Sequence, residues 1–207
     1  AGTRPGIRTL KNLAGIAAGP LTERDVSFGI IPRINAAGRL DDADVALDLL
    51  LAKSVSEAHP LAAELESRNL QRKEIEQVSF EQALKKVKQI PDLHNTPALV
   101  LADEQWNPGV IGIVAARLVE RFHRPVALIA IGEHKGSVLG RSSVRSIPGV
   151  DVYACLKASS SHLLAFGGHQ AAAGFSINPV NIDPFRKAFV QAARGASSKS
   201  NPARERV

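Results

Sequence analysis

Two short, almost wholly apolar runs, Ala98–Ala102 (ALVLA) and Pro125–Ile131 (PVALIAI), constrain the fold of this chain more than any other feature. Between them Gly109–Phe122 (GVIGIVAARLVERF) reads as a helix. Strands that are apolar at every position are buried on both faces, and strand, helix, strand is the grammar of a parallel crossover. The expectation is an α/β domain with a mixed, largely parallel sheet flanked by helices. Later segments extend it: Val138–Val144 as a third strand, Asp151–Ala158 as a helix, Ala173–Ile177 as a short strand and Ile182–Ala193 as a closing helix. From Gly195 the chain is polar and is expected to fray.

The first half has a different texture. Residues 1–40 are rich in Gly, Pro and Arg with little periodicity, which predicts loops and short helices packed on something else. Asp41, Asp42 and Asp44 form the acidic start of a helix over about 43 to 53. Ser54 and Glu57 have capping-box spacing for the next helix, although Pro60 blurs where it starts. Leu65, Ile75, Val78, Leu84 and Val87 then recur near helical spacing, with Glu64/Arg68 and Glu81/Lys85 one turn apart. Pro91 ends this helix of roughly 30 residues, a length that suits a connector between two lobes.

Composition narrows the function classes. A formal net charge of +6 and a pI near 9.8 favour an anionic partner. With one Trp and one Tyr the chain lacks the aromatic platforms of sequence-independent single-strand binders, so backbone phosphate contacts should dominate any nucleic-acid binding. No apolar run approaches the roughly 18 residues of a membrane span, and AGTRPGIRTL has no signal-peptide pattern. The lone Cys155 can form no internal disulfide, so cytoplasm is the expected compartment. There is no methionine, even at position 1, and the chain is expected to be a piece of a longer protein.

Four segments could carry chemistry. In PRINAAGRL, Arg33 and Arg39 stand around Asn35 and Gly38, as a phosphate or carboxylate clamp requires; a surface turn with Arg–Asp pairs is the alternative. In DEQWNPGVIG, Gly109 and Gly112 allow an anion close to a helix N-terminus, and Trp106 is better explained by packing than by base stacking. In SSVRSIPG, Ser143 and Arg145 would share one face of a strand, with Ser142, Ser146 and Arg141 alongside. In FGGHQAAAGF, Gly167 and Gly168 can turn N–H groups toward an anion and His169 can donate to a phosphate oxygen; a tight turn into a buried strand is the other reading. The six histidines are scattered, no metal-ligand cluster is legible, and Cys155 has no His partner.

Taken in order, PRINAAGRL, QWNPGVIGIVAARL, SSVRSIPGVDVY and FGGHQAAAGFSI resemble the RecJ exonucleases of the DHH phosphoesterase superfamily, from Arg4 to about Ile177. GGH alone is shared with related oligonucleotide and cyclic-dinucleotide phosphodiesterases and with the alanyl-tRNA synthetase tail; PRINAAGRL points to RecJ. The resemblance implies a metal-dependent 5′–3′ exonuclease on single-stranded DNA in repair and recombination. Residues 1–54 would end its catalytic lobe, 55–91 would be the connector helix, 92–195 the DHH-associated substrate-binding domain and 196–207 a disordered tail. Arg33 or Arg39, with Ser143 and Arg145, would hold the 5′-terminal phosphate; His169 with Gly167 and Gly168 would hold phosphate near the scissile bond. Mn2+ or Mg2+ would sit in a lobe outside this chain, which would bind no metal and be inactive alone. Partners would be single-stranded DNA and single-strand-binding or recombination proteins, and no membrane.

The sequence departs from the family in three places. The metal motifs, including the DHH triplet, are absent, Asn107 stands where the family often has His, and no strand pattern of an oligonucleotide-binding barrel follows. A non-catalytic nucleic-acid-binding or replisome scaffold is therefore the alternative function.

Overall fold

The computed structural model describes residues 4–17, 19–40, 42–134 and 136–199. They fall into two compact units whose boundary lies inside one long helix, between Ile75 and Glu76.

The first unit is helical, and the stretch expected to hold loops and short helices carries three short helical elements. Pro5 opens α1 (Pro5–Leu13), where its missing N–H costs nothing. A π-helical turn, Asp25–Ile30, runs into α2 (Ile31–Leu40). PRINAAGRL is therefore helix, and its Gly38 does not break it. The cause is tertiary: Ile30, Ala36 and Ala37 are buried, and Ile30 and Ala37 share a core with Leu10, Val45, Leu49, Ala58 and Leu65.

Helix α3 (Asp44–Leu51) follows; the capping role expected of Asp41 lies outside the described residues. A Cβ on Gly6 would lie 1.9 Å from the carbonyl oxygen of Leu49, so α1 and α3 meet through bare backbone. Gly6→Ala is expected to lower stability by about 1–3 kcal/mol, read as a fall in thermal midpoint, because backbone cannot yield as a side chain does.

Helix α4 (Val55–Lys88) keeps Pro60 in its second turn without a break. The capping box forms: Glu57 N–H donates to Ser54 Oγ at 3.2 Å and Lys53 N–H to Glu57 Oε2 at 3.0 Å. The Lys53 N–H, then the Ser54 hydroxyl, hold the Glu57 carboxyl below its ordinary range. The early part of α4 belongs to the first unit and its last part to the second.

The second unit holds β1 (Leu99–Asp103), α5 (Ile111–Phe122), β2 (Val126–His134), β3 (Ser137–Arg145), α6 (Val152–Ala158), β4 (Ala165–Gly168), β5 (Ala172–Ile177) and α7 (Ile182–Lys199). The strands form one mixed sheet in the order β1-β2-β3-β5-β4. Only β1–β2 is parallel; β2–β3, β3–β5 and β4–β5 are antiparallel, which corrects the expectation of a largely parallel sheet. Strands β2 and β3 pair all the way from Val126↔Arg145 to His134↔Ser137, leaving a connection too short for a crossover. Strand β4 went unforeseen, and α7 continues past Gly195 to Lys199; residues 200–207 of the expected tail lie outside the described residues.

One face of the sheet carries the core. Val100, Ile129, Val144, Phe175 and Ile177 pack with Leu156 of α6 and with Phe185 and Phe189 of α7. Cys155 belongs to this core, and burial pushes its thiol up, as suits an inert packing residue. Helix α5 lies on the opposite face against β2 and β3. No helix among the described residues is long and apolar enough to cross a membrane.

Candidate phosphate-binding site

Among the described residues, α5 packs against β2 and β3 on its side of the sheet and leaves β4 exposed at Ala165 and Gly167 and β5 partly exposed at Ala172, Gly174 and Ser176. Val144 and Ala173 point into the core, so strand alternation puts Ser143, Arg145, Ala172 and Gly174 on the α5 side. Gly167 pairs with Gly174 and joins that side. Ala165 and Ser176 pair on the same side, so the open part is a floor of glycine, alanine and one serine, bordered by Ser143 and Arg145.

The border is built at the start of α5. Arg145 Nη1 donates to Ser143 Oγ at 2.9 Å and to the Val144 carbonyl at 2.9 Å, folding the guanidinium back along its own strand. A Cβ on Gly112, in the first turn of α5, would lie 2.9 Å from Arg145 Nη2 and 3.0 Å from Ser143 Oγ. A guanidinium, a hydroxyl and the positive end of a 12-residue helix therefore converge, an arrangement that attracts an oxyanion. The sequence placed this approach at both Gly109 and Gly112; the contact is at Gly112. The Gly109 N–H donates to Asn107 Oδ1 at 2.8 Å, inside the loop.

That loop is held from α4. Trp106 is 3% exposed and its Nε1–H donates to Gln82 Oε1 at 3.0 Å, while Gln82 Nε2 donates to Gln105 Oε1 at 2.8 Å. Trp106 is a packing residue, as expected. The Asn107 carbonyl then accepts from Val110 and Ile111 N–H at 3.0 and 3.1 Å, in the turn that leads into α5. Gln82 had no signal in the sequence beyond a polar position on a long helix. Lys86 adds an ion pair to Asp103 at 3.0 Å.

The FGGH segment is the edge strand of a hairpin rather than a bare turn. Gly168 has φ +136°, and a Cβ there would meet Ala173 Cα at 2.5 Å and the Ala172 carbonyl oxygen at 2.6 Å. His169 N–H donates to the Ala172 carbonyl at 2.9 Å, and the tip is tied down where Ser146 and Val152 N–H donate to Ala171 and Gln170 carbonyls. Gly167, Gly168 and His169 are exposed. His169 sits opposite Ala172, which sits opposite Arg145, so two strand spacings, about 10 Å, separate the His169 and Arg145 backbones.

PRINAAGRL belongs to the other unit. Arg33 forms an ion pair with Glu66 through Nε and donates Nη1 to the Gly29 carbonyl at 2.6 Å; its side chain is 11% exposed. Helical spacing turns Arg33 away from Asn35 and Arg39, which share a face one turn apart. The two guanidiniums therefore do not close around Asn35 as a loop would allow.

A family model described as the DHHA1 domain matches residues 95–195, the sheet and its helices. The single-stranded-DNA-specific exonuclease RecJ of Bacillus subtilis (strain 168) is 38% identical over 183 residues, 88% of this chain and 23% of that protein. RecJ of Escherichia coli (strain K12) is 38% identical over 192 residues, 90% of this chain and 33% of that protein. The crystal structure of RecJ in complex with Mg2+ from Thermus thermophilus superposes with a TM-score of 0.80 at 34% identity, covering 93% of this chain and 29% of that one. The chain belongs to the RecJ family. It spans about a quarter to a third of the curated RecJ proteins named. The Thermus thermophilus RecJ has also been solved with Mn2+, at a TM-score of 0.79. Among the described residues here, no three His, Cys, Asp or Glu side chains come together.

Proposed function

We propose that this chain is the nucleic-acid-binding part of a RecJ-type exonuclease that degrades single-stranded DNA from its 5′ end in repair and recombination. The observation that carries the reading is the meeting of Ser143, Arg145 and Gly112 at the start of α5, beside an open floor of Gly167, Gly174 and Ala172. The 5′-terminal phosphate would lie against Ser143 and Arg145, where charge-assisted hydrogen bonds neutralise its oxygens. His169 and the backbone of Gly167 and Gly168 would hold a phosphate nearer the scissile bond, lowering the cost of charge that builds there. Asn35 and Arg39, one turn apart on α2, would face nucleic acid, while Arg33 pairs with Glu66.

Residues 1–54 would close the catalytic lobe of the whole protein, 55–91 connect the lobes, and 92–195 form the substrate-binding domain, with 196–207 as a tail. Mn2+ or Mg2+ would be held by other segments of that protein, and no step of hydrolysis is assigned to residues of this chain. The whole enzyme would work in the cytoplasm on single strands presented by single-strand-binding or recombination proteins.

Fluorescence anisotropy with a short oligothymidylate tests the binding role. We expect the 5′-phosphorylated form to bind about tenfold more tightly than the 5′-hydroxyl form, and affinity to fall with added salt. Equal affinity for both ends would remove the terminal-phosphate role. With Mn2+ and the phosphorylated strand the chain alone is expected to release no mononucleotide; release would show that it carries its own hydrolytic machinery.

A further inference from the structure

We propose that the groove along β1, between the end of α4 and α7, binds a free nucleoside monophosphate, its base on the strand edge and its phosphate on Arg186 and Lys187.

The groove is a cavity of about 590 Å3 whose lining, from Lys86 to Val190, lies wholly in the second unit. That volume falls within the about 300–1,000 Å3 usual for small-molecule sites. Strand β1 is an outer strand of the sheet, and β2 separates it from β3, which carries Ser143 and Arg145. Leu99 N–H donates to the Pro125 carbonyl at 2.8 Å, so Leu99 and Leu101 turn their backbone groups to β2 while Val100 and Ala102 turn theirs outward. Arg186 Nε donates to the Val100 carbonyl at 3.1 Å. Among the described residues nothing meets the Val100 N–H or the N–H and C=O of Ala102. Val100 is 3% exposed, so an acceptor entering the groove would satisfy a buried donor.

These groups select the ligand. The N–H and C=O of Ala102 stand side by side, a donor next to an acceptor, and the hydrogen-bonding edge of a nucleobase carries the complementary pair. Ile90, Pro91 and Val190 offer apolar surface to the face of a ring. Three cations also line the groove, Lys86, Arg186 and Lys187. Lys86 is paired with Asp103 at 3.0 Å, and Arg186 with Asp183 through Nη1, which leaves Arg186 Nη2. Lys187 is exposed and makes no hydrogen bond or ion pair among the described residues. A phosphate at the groove mouth would draw on both side chains. An added peptide strand fits less well, because Arg186 already holds the Val100 carbonyl that such a strand would need.

The test is a titration of the complete chain with 5′-dAMP, followed by backbone amide resonances. The Val100 and Ala102 N–H signals should move most, and dAMP should bind about tenfold more tightly than deoxyadenosine. Lys187→Glu should cut that preference to about twofold and leave the affinity for deoxyadenosine unchanged. Saturating 5′-phosphorylated oligothymidylate should leave the Ala102 signal of the dAMP complex in place. Displacement by the oligothymidylate, or movement centred on Gly112, Ser143 and Gly167, would put dAMP in the DNA site and overturn the proposal. Equal affinity for dAMP and deoxyadenosine, an undiminished preference in Lys187→Glu, or still signals at Val100 and Ala102 at millimolar dAMP would overturn it as well.

Discussion

Arg145→Ala is expected to weaken binding of a 5′-phosphorylated single strand about 10- to 100-fold, with a much smaller loss on a 5′-hydroxyl strand. A hydrogen bond to a charged group is worth about 1.5–3 kcal/mol, and tenfold in affinity is about 1.4 kcal/mol. The guanidinium is half-buried between Ser143 and the first turn of α5, so it is screened less than a surface arginine. Arg145→Lys should restore charge but only part of the affinity, because an ammonium cannot bond Ser143, the Val144 carbonyl and a phosphate with one planar fork. Anisotropy titrations with the two DNA ends measure all three. Equal losses on both ends would mean that Arg145 contributes general field and holds no terminal phosphate.

Gly168→Val is expected to be the most damaging single change in the β4–β5 hairpin. It places a β-branched residue at φ +136° and drives a Cβ to within 2.5 Å of Ala173 Cα. Strain and overpacking together should cost about 2–4 kcal/mol, a fall in thermal midpoint on the order of 10 °C. Gly167→Ala is the control, since a Cβ there meets nothing within 4 Å. It should leave the thermal midpoint unchanged while setting a methyl on the open floor. If both variants melt alike, the close approach of Gly168 to β5 is not what fixes the hairpin.

The sequence is most legible where local pattern and burial agree. ALVLA and PVALIAI form β1 and β2, Ser54 and Glu57 form their cap, and Ser143 and Arg145 share a face because strand alternation leaves no choice. Strand direction misleads because the apolar core of β2 stops at Ile131 while the strand itself runs to His134. The polar Gly132–His134 stretch reads as loop yet pairs with Ser137–Leu139, turning a long connection into a tight hairpin. PRINAAGRL is hidden for the opposite reason: its helix is imposed by a core built with α1, α3 and α4. The β4–β5 hairpin could have been found. The two ends of FGGHQAAAGF mirror each other, with Phe166 pairing with Phe175 and Gly167 with Gly174.

The floor beside Ser143 and Arg145 offers almost nothing but peptide backbone and methyl groups. Such a surface has no side-chain amide, carboxylate or ring with which to tell one base from another, so whatever lies on it is held by charge and by thinness alone. A strand resting there could slide by one nucleotide and find the same surface again. A polymer of any base composition would meet the same surface there, told apart only by its charge and its thickness.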